Sequence, residues 1–158
     1  MSHKPRRAGF TLIEVLIVVV IMAVLAATIV PQFANSTKDA KEGSLRTNLT
    51  TLRKQVELFK HQHNGVLPTG ANNLDQLTKN TNASGAIGSG AGFTLGPYMQ
   101  NGLPVNPFNA LATVKLDTAA SGTPAADDSV GYIYRAATGE IWAANTGTPS
   151  TGTSYQEY

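Results

Sequence analysis

The chain has 158 residues, 42% of them hydrophobic, with 12 basic against 10 acidic side chains and no cysteine. That length holds one modest domain plus an anchor, and the missing thiols exclude a disulfide framework, a thiol nucleophile and a cysteine metal site. The formal net charge of +2 is not a nucleic-acid footprint: without Lys4, Arg6 and Arg7 near the amino terminus, 9 basic and 10 acidic side chains remain, and acids outnumber bases beyond His61.

The first element is an apolar run over 10–30, about 21 residues, enough to span a bilayer as a helix. Basic residues Lys4, Arg6 and Arg7 precede it, Gly9 marks its border, and Glu14 is the one carboxylate inside it. A charge within such a run is costly and marks a functional position by default. The bland alternative is that Glu14 lies near the membrane face and snorkels out to water. Basic residues before the span favour a cytoplasmic amino terminus, although Lys38, Lys41 and Arg46 after it blunt the asymmetry. A cleaved secretory signal with a cut near Val24-Leu25-Ala26 is the rival reading. The length of the run and the glutamate within it argue against that rival.

The string Arg6-Arg7-Ala8-Gly9-Phe10-Thr11-Leu12-Ile13-Glu14, followed by an apolar stretch ending at Pro31, resembles the prepilin processing site of type IV pilins and type II secretion pseudopilins. The resemblance implies a leader over 1–9, cleavage by prepilin peptidase after Gly9, N-methylation of Phe10 and a role for Glu14 in subunit assembly. It further implies a transmembrane and filament-core helix over 10–31 and a homo-oligomeric helical filament containing minor pseudopilins. An inner-membrane platform protein and an assembly ATPase would drive its assembly. The expected location is the bacterial inner membrane, with an extracytoplasmic head, and then a periplasmic or extracellular filament. The chemistry supports such a role independently. Cleavage before Phe10 creates an amine with a reference pKa near 7.7–8.0, and Glu14 sits one helical turn along, at the positive end of the helix dipole. Amine and carboxylate can neutralise each other within one chain or between neighbours in a low-dielectric core.

Beyond Pro31, residues 32–63 contain no second proline, and Leu45, Leu49, Leu52, Val56 and Phe59 recur at helical spacing on one face. Asn64-Gly65 is a suitable stop. A helix over 10–63 would be about 80 Å long at 1.5 Å per residue, more than the 64–158 head can cover. Its first half must find lipid or other copies of itself, while the leucine stripe of its second half packs on the chain's own head.

The head is turn-rich. A short helix is expected over 72–77, a glycine-rich loop over 80–96, and a proline-fixed apolar segment through Tyr98, Leu103, Pro104, Val105, Pro107 and Phe108. Strands are expected over 113–116, 130–135 and 140–144, the last two forming a hairpin with Tyr132 and Tyr134 on one face and Ile133 and Arg135 on the other. The threonine-, glycine- and serine-rich tail from about 145 reads as mobile. The fold class is α+β and pilin-like: a long amino-terminal helix, its first half transmembrane, packed on a small antiparallel sheet. Leu67-Pro68-Thr69, the leucines at 74 and 77, Tyr98 and the 103–108 segment are also similar to pieces of the major pseudopilin head. In that family acids near the carboxy-terminal loop bind calcium. Here Asp117, Asp127 and Asp128 are the only candidates worth naming, and their spacing supplies no calcium loop. No other cofactor is expected.

No catalytic constellation emerges. His61 and His63 point to different sides of a helix and read as surface histidines, and 85–92 lacks the Lys-Ser/Thr ending of a phosphate loop. Asp127-Asp128 reads as a solvated turn, and Trp142 with Tyr132 and Tyr134 as cross-strand packing rather than a ligand platform. The expectation is a structural filament subunit rather than an enzyme: first a pseudopilin of a type II secretion system, alternatively a pilin of a surface pilus for adhesion, twitching motility or DNA uptake.

Overall fold

A computed structural model describes residues 9–150, 152 and 154–158; Lys4, Arg6 and Arg7, expected to lie in a leader, fall outside the described residues. The main element is α1, Leu12–Gln62, with Pro31 inside it. Its backbone divides between two compact units, one up to Lys38 and one from Asp39 to Tyr158.

In the first unit α1 is apolar from Leu12 to Val30 apart from Glu14 and Thr28, and its side chains there are largely exposed. An apolar helix meets its own backbone hydrogen-bonding needs, so it is stable in lipid without further partners. It is the one helix among the described residues long and apolar enough to cross a membrane.

In the second unit α1 buries Leu45, Leu49, Leu52, Val56 and Phe59, the expected stripe. The helix stops where Asn64 and Gly65 take positive φ and the Gly65 amide donates to the Lys60 carbonyl at 2.8 Å, the left-handed closure that favours asparagine and glycine. α2, Ala71–Thr78, follows. Its first turn is left-handed at Asn72, Asn73 and Leu74, a conformation asparagine tolerates and leucine does not favour. Leu74 and Leu77 are fully buried against the stripe, and Asn73 binds both the Val114 amide and the Ala112 carbonyl. Burial and these two bonds hold the turn.

Three strands complete the head: β1 Val114–Leu116, β2 Tyr132–Arg135 and β3 Glu140–Ala143. β2 and β3 form the expected antiparallel hairpin, with Tyr132 opposite Ala143 and Arg135 opposite Glu140. β1, however, lies parallel to β2, Val114 beside Tyr132, so the sheet is mixed rather than antiparallel. The reason is the long 117–131 connection, which carries the chain back to the start of the sheet instead of turning it in a hairpin; parallel neighbours require such a crossover. At the hairpin, Gly139 has φ +80 and a Cβ there would meet Leu67 Cδ2 at 2.6 Å, so glycine is required for both conformation and contact.

Alternation along β2 and β3 divides the packing. Tyr132, Tyr134, Ile141 and Ala143 join the α1 stripe, while Ile133, Trp142 and Ala144 form a second cluster with Val130. Trp142 lies opposite Ile133 and beneath the Arg135 guanidinium, 4.8 Å from its ring centre, away from the two tyrosines, so the three aromatics share no platform. Burial pushes the Tyr132 phenol up to about 12 from its ordinary 10.0, against a hydrogen bond from Asn48, and pushes Tyr134 up as well. A phenol whose folded pKa is raised stabilises the head fully below its unfolded pKa and loses that contribution as pH rises through the folded value. The head should therefore hold up to about pH 10 and lose stability as pH climbs towards 12, with tyrosinate absorbance and loss of near-ultraviolet circular dichroism rising together. Free titration of Tyr132 and Tyr134 near pH 10 in the folded head would contradict this packing.

Two further expectations are corrected. His63 is not a surface residue but fully buried. It stacks on Phe59 at 3.7 Å, with Nδ1 2.8 Å from the Phe59 carbonyl and Nε2 3.0 Å from the Thr81 hydroxyl. This bolts the 80–96 loop to the end of α1, because Thr81 also exchanges backbone hydrogen bonds with Leu95. His63→Ala should cost about 2–4 kcal/mol, from the cavity and the loss of the hydrogen bond to the Thr81 hydroxyl; urea unfolding of the full chain in detergent measures it. The tail, expected to be mobile from 145, is also held: Tyr155 is buried, and Tyr155–Glu157 form a 3-10 turn capped by Ser154. Its aromatic side chains supply the apolar area that the composition of the segment as a whole conceals.

Candidate processing and assembly site

Gly9, Phe10 and Thr11 precede α1 in non-helical backbone, all exposed. A Cβ built on Gly9 meets nothing within 4 Å. The fold itself therefore has no need of glycine here, so any requirement for it must come from a molecule that grips this junction. Phe10 offers a bulky, exposed ring directly after it.

Thr11 and Glu14 bracket the first turn of the helix. The Glu14 carboxylate accepts from the Thr11 amide at 2.8 Å and the Thr11 hydroxyl at 2.7 Å, and the Glu14 amide donates back to the Thr11 hydroxyl oxygen at 3.3 Å. This is a capping box, which satisfies amides left unpaired at a helix start. Thr11 was not singled out from the sequence, although its spacing of three from Glu14 is the signal for such a box. In this arrangement Glu14 lies a single turn from the Phe10 amide nitrogen. Were the chain cut between Gly9 and Phe10, that nitrogen would become a cation near an anion already oriented by Thr11.

The expected acid candidates do not come together. Asp117 holds the buried Arg135 through Nε at 2.8 Å and through Nη2, and Arg135 also reaches Glu140 at 3.3 Å and the Gly122 carbonyl at 2.7 Å. Asp127 pairs with Lys115 at 2.7 Å and accepts from Ser129; Lys115 and Ser129 hold its carboxyl down at about 2. Asp128 accepts from the amide and hydroxyl of Thr146, which lower its pKa. Each carboxylate has its own protein donors. Among the described residues no group of three or more histidine, aspartate or glutamate side chains converges on a point where a cation would sit. Calcium asks for 6–8 oxygens around one centre, and this donor set does not fit it.

Sequence reasoning also passed over Glu42, which is 4% exposed on the buried face of α1. Its spacing of three before Leu45 continues the leucine stripe, and that period is the signal that would have found it.

Comparison with known proteins places these residues in context. The prokaryotic N-terminal methylation motif matches residues 4–30. The type II secretion system core protein G of Vibrio cholerae is 35% identical over 83 residues, 52% of this chain and 56% of that protein. The type IV narrow pilus major component PilA5 of Thermus thermophilus is 33% identical over 84 residues, 53% of this chain and 68% of that protein. The type IV major pilin protein PilA of Myxococcus xanthus is 46% identical over 56 residues, 35% of this chain and 26% of that protein. The chain thus spans about half the length of the secretion-system relatives it matches, 56% and 57% for those of Vibrio cholerae and Aeromonas hydrophila. No solved structure matches it significantly.

Proposed function

The chain belongs to the family of type IV pilins and type II secretion pseudopilins, and from that premise we propose that it is a structural subunit of a helical filament, not an enzyme. The observation that carries this is the Gly9-Phe10-Thr11-Leu12-Ile13-Glu14 string at the start of a helix whose apolar side chains are exposed from Leu12 to Val30. An apolar surface of that extent needs lipid or other copies around it. In the proposed sequence of events the precursor inserts with Lys4, Arg6 and Arg7 on the cytoplasmic side of the inner membrane and the head outside. Prepilin peptidase then cuts after Gly9, and the Phe10 amine is methylated.

The Glu14 carboxylate meets the Phe10 amine of a neighbouring subunit as each copy leaves the bilayer, which fixes the stagger between adjacent helices. Repetition of the same head-to-tail contact builds an open fibre. Extraction draws on an assembly ATPase acting through an inner-membrane platform protein, with minor pseudopilins in the filament.

The filament is, on this reading, the pseudopilus of a type II secretion system. The several core protein G relatives support it, as do the Leu67-Pro68-Thr69 turn and the absence of cysteine. The relatives from Thermus and Myxococcus favour a second reading, a surface pilus. Deletion in the native host separates the two. Exoenzymes retained in the periplasm with surface fibres intact support the pseudopilus; loss of long extracellular fibres that label with antibody to this protein supports the pilus.

A further inference from the structure

The tail of the head lies on one face of α1, around a buried acid. The Ser150 amide and hydroxyl donate to the two Glu42 carboxylate oxygens at 2.8 and 2.7 Å, the Tyr155 hydroxyl donates at 3.4 Å and the Tyr158 hydroxyl at 3.2 Å. One turn along the helix, the Arg46 guanidinium stacks 4.1 Å from the Tyr158 ring centre. Arg53 binds the Tyr158 carbonyl and, at 3.1 Å, the Ile141 carbonyl of β3. Aromatic rings pack in series, Phe108 of the 103–108 segment on Tyr155 at 4.6 Å and Tyr155 edge-on to Tyr158 at 5.8 Å. At its other end the segment is tied by Asp128 to Thr146 and by the buried Asn106 amide to Asn145 at 2.6 Å.

A carboxylate this deeply buried is tolerable only when donors surround it, and here hydroxyl and amide donors from the tail contribute to that shell. The tail and Glu42 thus need each other. Meanwhile the acids that would make up a calcium site are committed elsewhere: Asp117 to Arg135, Asp127 to Lys115 and Asp128 to Thr146.

We propose that the described tail residues, 145–150 and 154–158, act as a metal-independent strap, that Glu42, Arg46 and Arg53 of α1 form their receptor, and that this latch closes the head without calcium or a disulfide. Loss of the latch frees the tail while the leucine stripe, α2 and the sheet remain packed.

The test uses the full chain in detergent micelles. Thermal unfolding should superimpose with excess calcium and with a calcium chelator. Glu42→Ala should lower the midpoint and expose the tail to protease roughly tenfold faster, as expected for loss of hydrogen bonds to a charged group, equally with and without calcium. A shift of several degrees on chelation of the wild type would overturn the proposal, and so would wild-type protection of the tail in Glu42→Ala. Tyr158→Phe and Ser150→Ala each remove one hydroxyl donor without emptying the site and serve if Glu42→Ala does not fold. Both should accelerate tail cleavage, and wild-type cleavage in both would equally refute the latch.

Discussion

Gly9→Leu should leave the precursor uncut, with the full-length chain accumulating in the membrane and no filament formed. The structure makes this a clean test, because a side chain at Gly9 touches nothing in the protein and residues 9–11 lie outside α1. The substitution therefore does not disturb the described fold, and any failure points to the junction where the proposed peptidase would bind. Glycine is the residue that lets another protein approach a backbone closely. The expected loss is of the whole processed fraction, read as a mass or mobility difference on an immunoblot. A normal amount of mature protein from Gly9→Leu would remove Gly9–Phe10 as the processing bond.

The second large effect is at Glu14. Glu14→Val should insert and be cut normally yet fail to enter filaments, a loss seen as wild-type membrane levels with few or no fibres in sheared fractions. Two explanations for that loss are separable. Glu14 caps its own helix through Thr11, and it is also the anion proposed to meet the Phe10 amine of another copy. Glu14→Gln keeps a side-chain oxygen for the Thr11 donors and removes the charge, so it should share the assembly defect. Thr11→Ala removes the hydroxyl from the box and keeps the charge, so it should assemble far better than either. Filaments from Glu14→Gln at wild-type yield would show that the box, and not charge pairing, is what assembly uses. Helix starts tolerate altered caps at modest cost, whereas an uncompensated charge moving into a packed apolar core does not come cheaply.

Much of this was legible in the sequence for reasons that are local. The stripe at Leu45, Leu49, Leu52, Val56 and Phe59 is a repeating 3.6-residue pattern, and burial follows from it directly. Asn64-Gly65 and the 136–139 turn are punctuation that acts through backbone conformation alone, and both stand where expected. The alternation of Tyr132 and Tyr134 against Ile133 sorted correctly into two clusters. What stayed hidden depends on partners distant in the chain. The parallel pairing of β1 with β2 is set by how 117–131 crosses back, and no residue of β1 encodes that. His63 is buried because Thr81, 18 positions away, offers it a hydroxyl. The tail looks mobile by composition, but Ser150, Tyr155 and Tyr158 find Glu42 more than a hundred residues earlier. At the amino terminus the string from Arg6 to Glu14 is contiguous, and so it was read whole. Only Thr11, whose part depends on the hydrogen bonds it makes with Glu14, was missed.

The account depends most on the amino terminus of the protein as it exists in cells, and intact-mass spectrometry of the chain purified from its native host reads it in one measurement. The predicted mass is that of a chain beginning at Phe10 and carrying one added methyl group on its amine. A mass that still includes residues 1–9, with no methyl, would contradict it.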